Sequence, residues 1–173
     1  MGWLDEWLDF FIPKTDVNKF ITHIDEKEET AVVAPWMPIA MAELGQKEIP
    51  GANNNSRIIA YHAATDLKAT TDEVPWCSSF CNWAMSQVGI DGTGKANARS
   101  WTHWGLPLES PKYGCIVVLK RGNNAMQGHV GFFIHDLPGG RLQLLGGNQG
   151  DKVSIATFNK KDVLAYRWPF SLP

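Results

Sequence analysis

The hydrophobic pattern changes period once, near Pro111, and that change limits the folds open to this chain. Upstream, apolar residues recur at helical spacing. "PWMPIAMAELG" predicts a helix of about ten residues ending at Gly45. "NNNSRIIAYHAATDLKA" predicts a second, capped by Asn or Ser, with Ile58, Ile59, Tyr61, His62 and Leu67 on or near its inner face. A third runs from about Pro75, in its first turn, to Val88 and stops at Gly89; "ARSWTHWG" gives one short helical piece. Downstream, "GCIVVLKR", "HVGFFIHD", "RLQLLGGNQ", "KVSIATF" and "VLAYRWP" are short apolar or alternating runs punctuated by Gly, Asn and Pro. Helices first and strands second imply an α+β domain, its helices packed on one face of an antiparallel sheet of four to six strands.

This domain begins near Pro35 and takes in residues 35–173; residues 1–34 stand apart. Trp3, Leu4, Trp7, Leu8 and Phe11 predict an amphipathic helix closed by Pro13, serving either as packing or as a docking segment for a partner, and a polar linker follows over 14–34. No run reaches about 18 apolar residues, so no membrane span is expected. Asp5, Glu6 and Asp9 stand where a signal peptide carries basic residues. A net charge of −2 without a Lys/Arg stripe argues against nucleic acid as a partner.

Three cysteines, Cys77, Cys81 and Cys115, are too few and odd in number for a disulfide framework, and their spacing suits no metal site. They read as free thiols in a reducing compartment. Position separates them. Cys77 falls in the first turn of the third helix, where unpaired N–H groups and the helix dipole stabilise a thiolate and can donate to an oxyanion at Cys77 and Ser78. Cys81, one turn on, and Cys115, opening a strand, read as core.

A nucleophilic thiol needs a base. His23 lies in the linker, His62 mid-helix, His103 between tryptophans, and His135 closes its strand. His129 opens that strand between Gly128 and Gly131, with small neighbours that let another element approach its ring; a structural strand histidine is the alternative. Alternation puts His129, Gly131, Phe133 and His135 on one face, with His135 about 20 Å away. The end of the next strand, "LLGGNQGD", lies beside the start of the His129 strand in a hairpin. It offers Asn148 to orient the ring, with Gln149 and then Asp151 as competitors; a turn-stabilising Asn is the structural alternative.

A helix-start Cys in "PWCSSFCNW", a strand-start His in "GHVGFF" and a polar residue in "LLGGNQ" together resemble the papain-like NlpC and CHAP superfamily of peptidoglycan-cleaving cysteine hydrolases, and more closely a phage-borne and bacterial effector branch of it. That likeness rests on Trp36, Ile39-Ala40, Glu43-Leu44-Gly45, Glu48-Ile49-Pro50-Gly51, Arg57-Ile58, Tyr61, Trp76-Cys77-Ser78, Ala98-Arg99-Ser100-Trp101, Trp104-Gly105, Gly128 to Phe132 and Leu144 to Gln149. It implies a papain-like fold without cofactor or metal, with Cys77 as nucleophile, His129 as base and Asn148 as third residue. Relatives often carry a Glu two positions before that Asn; here Gly146 stands there.

The expected activity is cleavage of a peptidoglycan amide bond, in the stem peptide or next to N-acetylmuramic acid. A non-catalytic wall-peptide binder and an amide or acyl transferase are the rivals. Trp76, Glu48, Arg99, Trp101, Trp104 and Gln149 are the expected substrate contacts. Synthesis in the cytoplasm and action in the periplasm or cell wall imply delivery by phage lysis or secretion machinery, with an immunity protein as a further partner.

Overall fold

A computed structural model describes residues 34–172, of which Ala34 onward form one compact unit. The helix expected over residues 3–11 and most of the polar linker lie outside the described residues. Helix α1, Trp36–Ala42, buries Trp36, Met37 and Ala40 along one stripe, and the indole N–H of Trp36 donates to the Gly114 carbonyl at 2.9 Å. Helix α2, Ser56–His62, starts where the Asn55 side chain accepts from the Arg57 N–H at 2.8 Å. It ends at His62, sooner than its periodicity suggested. Ile58, Tyr61 and His62 are buried, Ile59 is half-buried, and Leu67, beyond the helix, is exposed.

Helix α3, Cys77–Ser86, is buried at every position from Cys77 to Met85. Trp76 occupies its N-cap, so Pro75 precedes the cap rather than lying in the first turn. A helix enclosed on all sides must satisfy its polar side chains internally. Ser78 Oγ donates to the Lys95 carbonyl (2.6 Å) and accepts from the Trp101 indole (2.8 Å). Asn82 donates to the Ser78 carbonyl and accepts from the Gly94 N–H. Ser79 Oγ meets His62 Nδ1 at 3.0 Å. A 3-10 turn over Ala98–His103 follows.

Six strands then form one antiparallel sheet: β1 Leu106–Leu108, β2 Ile116–Lys120, β3 Gly128–Leu137, β4 Arg141–Gly146, β5 Ser154–Asn159 and β6 Val163–Trp168, in the order β1-β6-β2-β3-β4-β5. The architecture is α+β and papain-like, as expected from the segregated sequence pattern. Helix α3 packs on β3 and β4, and a run of aromatic rings ties the layers: Tyr61 to Phe80 at 5.4 Å, and Phe80 to Phe132 at 6.1 Å.

Residues β3 and β4 pair Phe133 with Leu144 but His135 with Gln143, leaving Ile134 as the extra residue of a bulge. Leu144 and Gln143 lie on opposite faces, so Phe133 and His135 do too. The shared face expected for His129, Gly131, Phe133 and His135 therefore breaks at His135, which is exposed, and the strand continues past it to Leu137. No helix among the described residues is long and apolar enough to cross a membrane.

Candidate active site

Cys77 is the first residue of α3 and retains 7% exposure, whereas Cys81 and Cys115 have none. Cys77 also lines a cleft of 430 Å³ with Pro75, Asn97, Ala98, Arg121, Gln127 and Gly128. Burial pushes its thiol above the ordinary value; N–H donation from Val130, the charge of Arg121, and the N–H groups of Ser78 and Cys77 oppose that rise. Burial pushes Cys81 well up, and Cys115 to about 12. Gly128, which opens β3 one residue before His129, lines the same cleft as Cys77.

His129, the second residue of β3, is 1% exposed and packs on Phe158 with ring centroids 5.2 Å apart. Its Nε2 lies 2.9 Å from Gln149 Oε1. The amide orientation follows from its other end: Gln149 Nε2 donates to the carbonyls of Leu144 and Ser154, so the oxygen faces the ring. His129 Nε2 must therefore carry the hydrogen, and Nδ1 of the neutral ring is an acceptor. That Nδ1 is buried and has no hydrogen-bond partner.

The amide on the ring belongs to Gln149, which corrects the placement of Asn148. Asn148 adopts φ +56°, in the left-handed region, and its Nδ2 donates to Glu48 Oε1 at 2.7 Å instead. The left-handed residue reverses the chain and brings the next side chain back over the end of β4. Gly146 leaves the space: a Cβ there would stand 2.8 Å from Gln149 Oε1 and 3.4 Å from His129 Nε2. Gln149, expected among the substrate contacts, is 8% exposed and committed to the ring. Asp151 stands out in the turn, where its carbonyl accepts from the Glu48 N–H.

The tryptophans do not line a groove on the cleft. Trp76 is fully buried; its indole donates to Glu48 Oε1 at 2.8 Å, and its ring lies so close to Gly147 that a Cβ there would meet it at 2.6 Å. Glu48 Oε1 thus joins the start of α3 to the loop that carries Gln149, a positioning contact in place of the expected groove contact. Trp101 is fully buried under α3. Trp104 meets Trp101 edge to face with ring centroids 4.8 Å apart, donates to the Asp91 carbonyl and borders a separate hollow with Ile90 and Phe170. Aromatic count alone does not separate surface from core, and all but Trp104 of the described tryptophans are buried.

Arg99 does reach the cleft's edge: its Nε donates to the Gln127 carbonyl at 2.8 Å, against Gly128. Arg121 lines the cleft itself, although "KRGNNAMQG" carries no sequence signal beyond a turn.

Burial, opposed by the Gln149 hydrogen bond and aided by the Arg121 charge, lowers His129 to about 4. An unfolded imidazole titrates near 6.5. Between those values the unfolded chain binds a proton that the folded ring refuses, so stability falls as pH drops from about 6.5 and levels below about 4. This one group accounts for about 3 kcal/mol over that window. Urea unfolding at a series of pH values checks it. His129→Asn loses acid sensitivity by about 1.4 kcal/mol per pH unit relative to the parent; equal slopes in both proteins exclude a buried neutral ring.

Residues 69–148 match the model of the CHAP domain, a span that takes in α3, the 3-10 turn, β1 to β4 and the residue before Gln149. No curated protein matches the chain. The CHAP match, a helix-start thiol, a strand-start histidine and helices packed over an antiparallel sheet are together consistent with the papain-like NlpC/CHAP superfamily.

Proposed function

We propose that the chain is a peptidoglycan hydrolase that cleaves an amide bond through a Cys77–His129–Gln149 centre. CHAP domains are typically cysteine- and histidine-dependent amidohydrolases of peptidoglycan. The observation that carries the reading is the buried, unpartnered Nδ1 of His129, its tautomer fixed by Gln149, in a chain whose helix-start Cys77 lines a cleft with Gly128, the residue before that histidine.

In this reading His129 Nδ1 takes the Cys77 proton as Sγ attacks the carbonyl. The first-turn N–H groups around Cys77 and Ser78 hold the oxyanion. The imidazolium gives its proton to the departing amine as the C–N bond breaks, leaving a thioester. Water, deprotonated by the same nitrogen, attacks the thioester; the thiolate leaves and recovers the proton, and a carboxylate is released. Gln149 Oε1 accepts the Nε2–H throughout and keeps Nδ1 towards the sulfur. The opposite displacements of the two groups, thiol up and imidazole down, favour a neutral resting pair, so deprotonation accompanies attack rather than preceding it.

The enzyme is then either a stem-peptide endopeptidase or an N-acetylmuramoyl-L-alanine amidase, acting in the cell wall after delivery by phage lysis or secretion machinery. In the secreted case a dedicated immunity protein protects the producing cell. Digestion of purified sacculi followed by mass spectrometry tests the reading. Release of fragments with one new amine and one new carboxylate supports it, and their masses name the bond; fragment masses identical to an enzyme-free control overturn it. Added primary amines that appear in the products identify a transferase instead.

A further inference from the structure

The cleft is cationic in a chain whose formal net charge is −2. Arg121 lines it beside Cys77, and Arg99 lies at its edge with only Nε committed, to the Gln127 carbonyl. No Asp or Glu is among its lining residues, and among the described residues neither arginine joins an ion pair; the paired cations are Arg57, Lys95, Lys120 and Lys160. The N-terminus of α3 adds its own partial positive charge at the same place. Asn97 and Gln127 supply the neutral polar lining.

One role for such charge is internal. Arg121 opposes the burial that raises the Cys77 thiol, and it also disfavours protonation of His129. That role needs one cation, and it leaves Arg99 and the absence of any lining carboxylate without a purpose. Arg121 is exposed on this concave wall, where the cleft concentrates its field and the planar fork of its guanidinium matches both oxygens of a carboxylate.

Resting on the hydrolase reading, we infer that Arg121, supported by Arg99, forms a subsite for a free carboxylate on the substrate residue flanking the scissile amide. The substrate class is therefore an acidic peptide, one carrying that carboxylate unblocked rather than as its carboxamide. Amidation of that group in the wall lowers cleavage without touching the scissile bond.

A matched pair of short peptides, identical except for carboxylate or carboxamide at the flanking residue, provides the test. The parent enzyme cleaves the acid with kcat/KM about 10- to 100-fold above the amide. In Arg121→Gln the ratio falls towards one, chiefly through KM for the acid; in Arg121→Lys, which keeps charge but loses the fork, it lies between. Urea midpoints equal to the parent's show that the variants are folded. Equal kcat/KM on both peptides in the parent overturns the subsite. So does an equal loss on both in Arg121→Gln, which assigns the arginine to the thiol alone. Binding of the same pair to Cys77→Ala, by calorimetry, reads the subsite without turnover. Preference for the acid there, with no cleavage by the parent, overturns the hydrolase reading and leaves the subsite standing.

Discussion

Cys77→Ala reduces release of fragments from sacculi to background, a fall of at least about 10⁴-fold in turnover, while binding of wall peptide persists. The size follows from the absence of any other accessible thiol. Cys81 has no exposed surface and, with burial pushing it well up, no accessible thiolate. Cys115, directly before β2, is fully buried with its thiol pushed up to about 12. Cys81→Ala is the matched control: it keeps turnover and loses about 1 to 2 kcal/mol of stability, because its sulfur fills core volume. Turnover in Cys77→Ala within tenfold of the parent removes covalent catalysis at this residue, and with it the thioester.

Gln149→Ala lowers kcat by about 10²-fold or more with little change in KM, whereas Asn148→Ala has a much smaller effect on kcat. The contrast separates neighbours that sequence order alone does not. Gln149 Oε1 accepts the Nε2–H at 2.9 Å, so its loss frees the ring to turn or to take the other tautomer, with the hydrogen on the nitrogen needed as base. Asn148 Nδ2 is bound to Glu48, and removing it costs stability, about 1 kcal/mol, rather than chemistry. Gln149→Glu distinguishes positioning from bulk: a carboxylate beside Nε2 raises the imidazole from about 4, so the acid limb of kcat/KM moves to higher pH. An unmoved acid limb, together with equal losses in the two alanine variants, returns the third position to Asn148.

The segregated pattern made the α+β class legible, because alternation and helical spacing report burial directly: β2 is buried from Ile116 to Leu119, β3 from His129 to Phe133 and β4 from Leu144 to Gly146. Cys77 was legible as a helix-start thiol because it needs only the position of a helix end. The third residue of the site was not. Gln149 rather than Asn148 reaches the ring because of one left-handed φ and one missing Cβ at Gly146, both conformational facts that strand register does not encode. The tryptophans misled for a related reason: Trp76 and Trp101 carry a polar N–H that suits a groove, yet both find acceptors within the fold, in Glu48 and Ser78. Arg121 sits in a turn-rich stretch whose composition says nothing about which way a side chain points.

The Glu48 junction bears on when the enzyme becomes active. Its carboxylate waits for an indole 28 residues later and an amide 100 residues later. The ring at 129 and the amide at 149 follow the thiol at 77 off the ribosome by 52 and 72 residues. Contacts of such sequence separation close late in folding, after the loop entropy between them has been overcome. A nascent chain ending before Gln149 therefore carries a thiol without its tautomer-fixed base. On the hydrolase reading, catalytic competence is withheld until the chain has been synthesised past Gln149 and the Glu48 and Asn148 segments have met.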